Sequence, residues 1–240
     1  MIMKMNVLKK LLPFNCIVLA ITILISVAIN HAAYQVNQLT PVRTGPTVII
    51  DAGHGMPDGG TTSCTGMLES DLNLEISSRL NDLFHFLGIH TFMTRTDRNS
   101  IYTEGNSISQ KKISDIRNRV NIVNSTDYAV LLSIHQNHFY DSRYSGAQIF
   151  YANNEKSKKL AELMQSEFVS KLNPGNQRKA KKASGVYLME HIKCTGILIE
   201  CGFLSNQTEE SLLRSSDYQK KLCAVIATSC VSYMNQYGAS

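Results

Sequence analysis

The sequence predicts an α/β fold: a single domain with a mostly parallel twisted sheet and helices on both faces. Two observations favour this class. Short apolar runs rich in β-branched and aromatic residues alternate with longer amphipathic segments, and no repeat or low-complexity tract interrupts the alternation. A chain of 240 residues that is 43% hydrophobic and 18% charged can also bury one sizeable core.

The individual elements follow from the spacing of apolar residues. Leu72, Ile76, Leu80, Leu83 and Leu87 recur about every 3.6 residues, which is the period of a helix with one buried face. Similar stripes predict helices over residues 113–123, 158–172 and 217–237. The apolar runs predict strands over residues 47–50, 91–94, 128–134, 147–151 and 196–199. Strands that alternate with helices of this length indicate a largely parallel sheet covered on both faces.

The beginning of the chain has a different character. Lys4, Lys9 and Lys10 precede an uncharged run over residues 16–29. That run, about 14 residues, is nearer to a signal-peptide core than to the roughly 20 residues that span a bilayer. The lysines favour an amino terminus that stays in the cytoplasm, so the body of the protein is expected to be exported. We predict a signal peptide or membrane anchor over residues 1–33, a linker over 34–45 and a folded domain over 46–240.

Two histidines and two glutamates lie where predicted strands end or a helix begins. His54 follows the first strand, His135 and Glu200 follow later strands, and Glu69 opens a helix. Because the carboxyl ends of parallel strands meet at one edge of a sheet, these side chains are expected to converge there. Zinc hydrolases bind the metal through three nitrogen or oxygen ligands and place a separate carboxylate nearby to move protons. The chain contains this set of groups, although a single histidine at a strand end is more often a hydrogen-bonded structural residue.

The segments that carry these residues resemble the zinc-dependent N-acetylmuramoyl-L-alanine amidases of the Amidase_3 type. The resemblance covers nearly everything from Val48 to Tyr237. It rests, in order, on Asp51-Ala-Gly-His-Gly, Glu69, Thr94-Arg95, the spacing from Arg119 to Asn124, Ser133-Ile-His-Gln-Asn, Gly146-Ala147 leading to Tyr151, and Ile199-Glu-Cys-Gly-Phe-Leu-Ser-Asn. Arg178 followed by Ala180 and Lys181 more specifically resembles the CwlD-like amidases that spore formers use on cortex peptidoglycan.

The resemblance implies hydrolysis of the amide between the lactyl group of N-acetylmuramic acid and L-alanine in peptidoglycan, as the first step towards muramic-lactam formation in the spore cortex. It implies Zn²⁺ as the cofactor, with His54, Glu69 and His135 as ligands. Glu200 would be the catalytic residue that accepts a proton from water and returns it to the leaving amine. The folded domain would then be a zinc amidase domain, secreted or anchored, that acts at the cell wall or spore cortex. The need for an accessory protein is left open.

The residues that contact the substrate are less sharply indicated. Arg95 and Arg119 are candidate ligands for a carboxylate of the stem peptide, and Asn137, close to His135, is a third candidate. The alternative for each arginine is that it ties a loop to the sheet through charge-assisted hydrogen bonds.

The basic cluster and the cysteines can each be interpreted as functional or as purely structural. A basic cluster either attracts anionic wall polymer or a partner, or is a solvated loop; it comprises Arg178, Lys179, Lys181 and Lys182. With a net charge of only +5 and no aromatic residues within the cluster, nucleic-acid binding is not expected, and membrane contact is expected only through the leader.

The cysteines after the leader show no CxxC pairs, so most are interpreted as small buried residues, and Cys64 as a loop residue or a competing metal ligand.

Two other functions use the same residues. A zinc carboxypeptidase would apply the same groups to a different bond of wall peptides, and a non-catalytic wall-binding or scaffold protein would keep the fold alone. The released products separate the first of these from an amidase, because an amidase frees stem peptides that begin with alanine. Substitution of Glu200 by Gln tests the second.

Overall fold

The computed structural model describes residue 22, residues 25–27 and residues 45–238. Residue 22 and residues 25–27 are helical, and most of the predicted leader and linker lies outside the described residues, so those assignments stay predictions. Among the described residues there is no helix whose length and hydropathy would suit a membrane span. The fold belongs to the compact unit Gly45–Ser240.

One sheet forms the centre of this unit. Its strands are β1 (Thr47–Ala52), β2 (Thr91–Met93), β3 (Ala129–Asn137), β4 (Gln148–Tyr151), β5 (Lys181–Lys182) and β6 (Thr195–Phe203). They lie in the order β2-β1-β3-β6-β4-β5. The pairs of β1 with β2, of β1 with β3 and of β3 with β6 are parallel, whereas β4 runs antiparallel to β6 and parallel to β5. The prediction of a mostly parallel sheet is confirmed.

Helices cover both faces of the sheet. They are α1 (Glu69–Phe86), α2 (Ile108–Asn124), α3 (Glu155–Lys171), α4 (Tyr187–His191), α5 (Gln207–Leu213) and α6 (Ser216–Tyr237). Because side chains alternate along a strand, Val48 and Ile50 pack into one core with Leu72 of α1, while Ile49 packs into a second core with Val123 of α2. Leu72, Ile76 and Leu80 of the predicted stripe are buried in the first core, whereas Leu83 is half-buried and Leu87 is exposed just past the end of α1.

The structure adds two short helices that the sequence did not predict, α4 and α5, and it differs from the predicted strands in two ways. β3 and β6 extend past the apolar runs, so His135 and Glu200 lie inside paired strands and face each other in register. The predicted strands end where the run of apolar side chains ends, but the backbone pairing of β3 with β6 continues through the polar residues that follow. The second difference is β5, whose Lys181 and Lys182 carry no apolar signal; both are exposed on an edge strand, where lysine discourages pairing with other chains.

Candidate metal centre

The carboxyl edge of β1 and β3 brings three of the predicted residues together. His54 lies two residues after the end of β1, Glu69 is the first residue of α1, and His135 lies near the end of β3. One ligand atom from each of these side chains lies within 4.8 Å of the others. Cys64, the predicted competitor, is not a member of this cluster; it is exposed, and its backbone N–H donates to the carbonyl of Leu204.

Glu69 lies between the two imidazoles. One of its oxygens, Oε2, is 3.3 Å from Nε2 of His54, and the other, Oε1, is 3.0 Å from Nδ1 of His135. Nitrogen and oxygen ligands about 2 Å from one tetrahedral zinc ion lie roughly 3.4 Å apart, so these separations suit a shared ion. Burial alone would raise the pKa of Glu69, but both histidines hold it well below its ordinary value, so the carboxylate is ionised as a ligand must be.

Glycine makes this close arrangement sterically feasible. A Cβ atom on Gly53 would lie 2.3 Å from two atoms of the His135 ring, and one on Gly60 would lie 2.6 Å from Oε2 of Glu69. Gly60 also has a φ of +70°, which side-chain-bearing residues rarely adopt. The loop backbone therefore lies directly against two members of the cluster.

Asp58 orients the remaining nitrogen of His54. Its Oδ2 lies 3.0 Å from Nδ1 of His54 and 2.9 Å from Nζ of Lys112, an exposed residue of α2. Burial lowers the pKa of His54, but the carboxylates of Asp58 and Glu69 outweigh that effect and raise it to about 9. A carboxylate on the far nitrogen of a ligating histidine fixes which nitrogen faces the metal. Sequence reasoning missed Asp58; the only signal was a carboxylate four residues after His54.

Glu200 has the surroundings of a proton carrier. It is paired with His135 across β3 and β6, and its Oε2 is shielded from solvent without a hydrogen-bond partner among the described residues. Burial raises its pKa to about 7, although the neighbouring histidines oppose the rise. A half-buried carboxylate with one shielded, unpartnered oxygen next to a cluster of possible ligands fits a metal centre that needs a base.

The guanidinium groups of Arg119 and Arg95 donate to acceptors inside the protein. The Arg119 guanidinium is 1% exposed and donates to Asp51 at 2.6 Å, to Asp115 at 2.8 Å and to the carbonyl of His54 at 2.6 Å. Arg95 donates to the carbonyls of Ala52, Gly53, Ser70 and Asp97. These contacts agree with the alternative to substrate binding, in which each arginine attaches a loop to the sheet through hydrogen bonds.

Asp51 is the carboxylate that forms a buried ion pair with Arg119. It is 1% exposed and also accepts from Ser133 at 2.6 Å and from Thr94 at 2.8 Å. Burial alone would raise its pKa, but Arg119 and these hydroxyls lower it to about 2. A charged pair of this kind holds the end of β1, and with it His54, in place.

The other predicted contact residues are not members of the three-residue cluster. Asn137 is the last residue of β3 and is half-buried, so its assignment to substrate binding stays a prediction. Arg178 of the predicted basic cluster lies over the ring of Phe203 at 4.8 Å and donates to the carbonyl of Ser145. This residue therefore anchors its own loop, while Lys181 and Lys182 are exposed.

The fold and the site define a class of protein. A parallel sheet that presents two histidines and a carboxylate at its carboxyl edge, beside a second carboxylate without a partner, is the arrangement of a metal-dependent hydrolase.

Within that class, the chain belongs to the N-acetylmuramoyl-L-alanine amidase family, which it matches over residues 48–231. A germination-specific N-acetylmuramoyl-L-alanine amidase of Bacillus subtilis is 36% identical over 200 residues, which cover 81% of this chain and 82% of the relative. The structure of the CwlD amidase from Clostridioides difficile in complex with the GerS lipoprotein is similar with a TM-score of 0.76 at 34% identity, covering 80% of this chain and 99% of that chain. The protein is a CwlD-like cell wall amidase.

Proposed function

We propose that the chain binds zinc through His54, Glu69 and His135 and cleaves the amide between the lactyl group of N-acetylmuramic acid and L-alanine in cortex peptidoglycan, as the first step towards muramic lactam. The convergence of these three side chains beside Glu200 is the observation that supports zinc. The germination-specific relative supports the cortex as the site of action.

The chemistry that zinc supplies when bound is polarisation of a carbonyl and a decrease in the pKa of water from about 15.7 to about 7. Glu200 then has two tasks. It accepts the proton of the attacking water, and it returns that proton to the leaving nitrogen, because an amine leaves poorly unless it is protonated. Its pKa of about 7 suits a group that must gain and lose a proton near neutral pH.

The experiment that tests the activity is a digestion of purified cortex and vegetative peptidoglycan, with and without added zinc, followed by mass analysis. The proposal expects free stem peptides with an amino-terminal alanine, released with added zinc and more extensively from cortex. Release of a carboxy-terminal amino acid instead would indicate a carboxypeptidase. Equal release from the two walls would contradict the assignment to the cortex.

Asp58→Asn should weaken zinc binding by about 10–100-fold, because the amide no longer supplies the charge that orients His54. The measurement is the zinc dissociation constant from competition with a chromogenic chelator. Asp97→Asn is the matched control, since the carboxylate of that exposed aspartate accepts, within the described part of the chain, only from the backbone N–H of Asn99. A dissociation constant for Asp58→Asn equal to that of the control would show that Asp58 has no part in the metal centre.

We also propose that the protein is exported through its amino-terminal leader and acts with an accessory protein. The CwlD amidase of Clostridioides difficile was solved in complex with a lipoprotein, which supports a partner of that kind. Fractionation of sporulating cells tests export: the protein should be found outside the cytoplasmic membrane, and recovery in the cytoplasm would contradict it. Purification from the same cells should recover a partner with the enzyme.

A further inference from the structure

A cleft of about 540 Å³ opens beside the metal centre. His54, Asp58 and His135 line its inner end, and α2 and the segment leading into α4 form its walls. Apolar side chains dominate those walls, including Ile113 and Ile116 from one side and Val186 and Leu188 from the other. Its volume is in the range of sites that bind small ligands or a few residues of a peptide.

Three cationic side chains of α2 line this cleft, and the described structure gives them different surroundings. Arg119 is buried and bound to two aspartates. Lys112 is paired with Asp58 at 2.9 Å. Arg117 is exposed, and within residues 45–238 it has neither an ion pair nor a hydrogen bond. It also borders a smaller cavity next to Glu104, but no ion pair joins the two.

We propose that Arg117 binds a carboxylate of the stem peptide and makes the enzyme selective for peptides whose second residue carries a free carboxylate. This inference rests on the proposed function. The bond to be cleaved lies at the metal centre, so the peptide beyond L-alanine must extend along one of the neighbouring surfaces. The cleft offers apolar walls for its aliphatic parts and one unpaired guanidinium, whose planar donors match a carboxylate.

This assignment explains why the arginines singled out by the sequence are unsuited to the same task. Arg95 and Arg119 already donate to carbonyls and aspartates, and a substrate carboxylate would have to displace those contacts inside the protein. The Arg117 side chain has no partner to give up among residues 45–238. Its exposure also lets the substrate reach it without a rearrangement of the core.

The test compares two synthetic N-acetylmuramoyl peptides that differ only in a free carboxylate or a carboxamide on the second residue of the peptide. Wild-type enzyme should prefer the carboxylate by about tenfold or more in kcat/KM, the size of a charge-assisted contact. In Arg117→Gln that ratio should fall to near one. Lys111→Gln removes the same charge from the same helix, outside the lining of the cleft, and should keep the wild-type ratio.

Dissociation constants for both peptides, measured by calorimetry on Glu200→Gln protein with and without Arg117→Gln, give a readout that needs no turnover. Loss of the carboxylate preference only when Arg117 is replaced would support the inference. Equal dissociation constants for the two peptides, or a preference that survives in Arg117→Gln, would overturn it. Absence of cleavage at the lactyl–alanine bond by the wild type would count against the proposed function instead, which keeps the two failures distinguishable.

Discussion

Glu200→Gln is expected to lower kcat by about 10²–10⁴-fold, the range associated with a general acid–base group, while zinc still binds. Glutamine keeps the size of the side chain but can neither accept the proton of water nor deliver one to the leaving nitrogen. The change leaves the three proposed ligand side chains intact, so the metal content should remain at one zinc per chain. The measurement combines kcat on muramoyl peptide with metal analysis of the same preparation.

The fold should tolerate this substitution. Burial disfavours the charged form of Glu200 and raises its pKa to about 7, and no hydrogen bond to its Oε2 would be lost. Thermal unfolding of Glu200→Gln should therefore resemble that of the wild type. Glu162→Gln, an exposed position on α3, is the control for both assays. Activity of Glu200→Gln close to that of this control would exclude Glu200 as the proton carrier.

Arg119→Met is expected to lower the free energy of unfolding by about 3–5 kcal/mol, because it leaves Asp51 buried without its cation. Methionine fills similar space but supplies no donor for the carbonyl of His54, so the loop that carries this ligand loses its attachment as well. The measurement is urea unfolding at pH 7, followed by circular dichroism. Zinc affinity should fall along with stability.

Arg98→Met is the matched control for this prediction. Arg98 also forms a two-point contact with an aspartate, donating to Asp71 at 2.8 Å and 2.7 Å, but the pair is exposed to solvent. Exposed ion pairs contribute little to stability, so this variant should unfold nearly as the wild type does. Equal losses in the two variants would show that burial of the Arg119 pair is not the source of its effect.

The pH dependence of the same pair follows from the lowered pKa of Asp51. A carboxylate with a pKa of 3.8 in the unfolded chain and about 2 in the fold stabilises the folded state above pH 4. That contribution is lost as the pH falls through 2. The difference in unfolding free energy between wild type and Arg119→Met should therefore shrink as the pH falls from about 4 towards 2. A difference independent of pH over this range would place the effect outside the ion pair.

The sequence predicted the parts of the site that depend on strand position. The shared carboxyl edge of parallel strands predicts that His54 and His135 meet, and Glu69 is expected to join them from the start of a helix. The structure brings a ligand atom of each within 4.8 Å of the others. Glu200 was expected just after its strand and lies within it, paired with His135.

The parts that depend on loop path or on burial were beyond such reasoning. Asp58 reaches His54 because the glycine-rich loop folds back, which no periodicity reveals. Whether Arg119 or Arg117 faces the substrate depends on the rotation of α2 against the sheet; the buried face carries Arg119 and leaves Arg117 exposed in the cleft. The two-residue β5 has no apolar pattern at all, because its side chains contribute nothing to the core.

The central claim is that one zinc ion is shared by three side chains that are distant in sequence. X-ray diffraction from crystals of the zinc-loaded protein, recorded on both sides of the zinc absorption edge, tests it most directly. We expect one anomalous peak about 2.0–2.2 Å from Nε2 of His54, Nδ1 of His135 and the carboxylate of Glu69. A peak bound by other residues, or an empty position between these three in fully loaded protein, would contradict it.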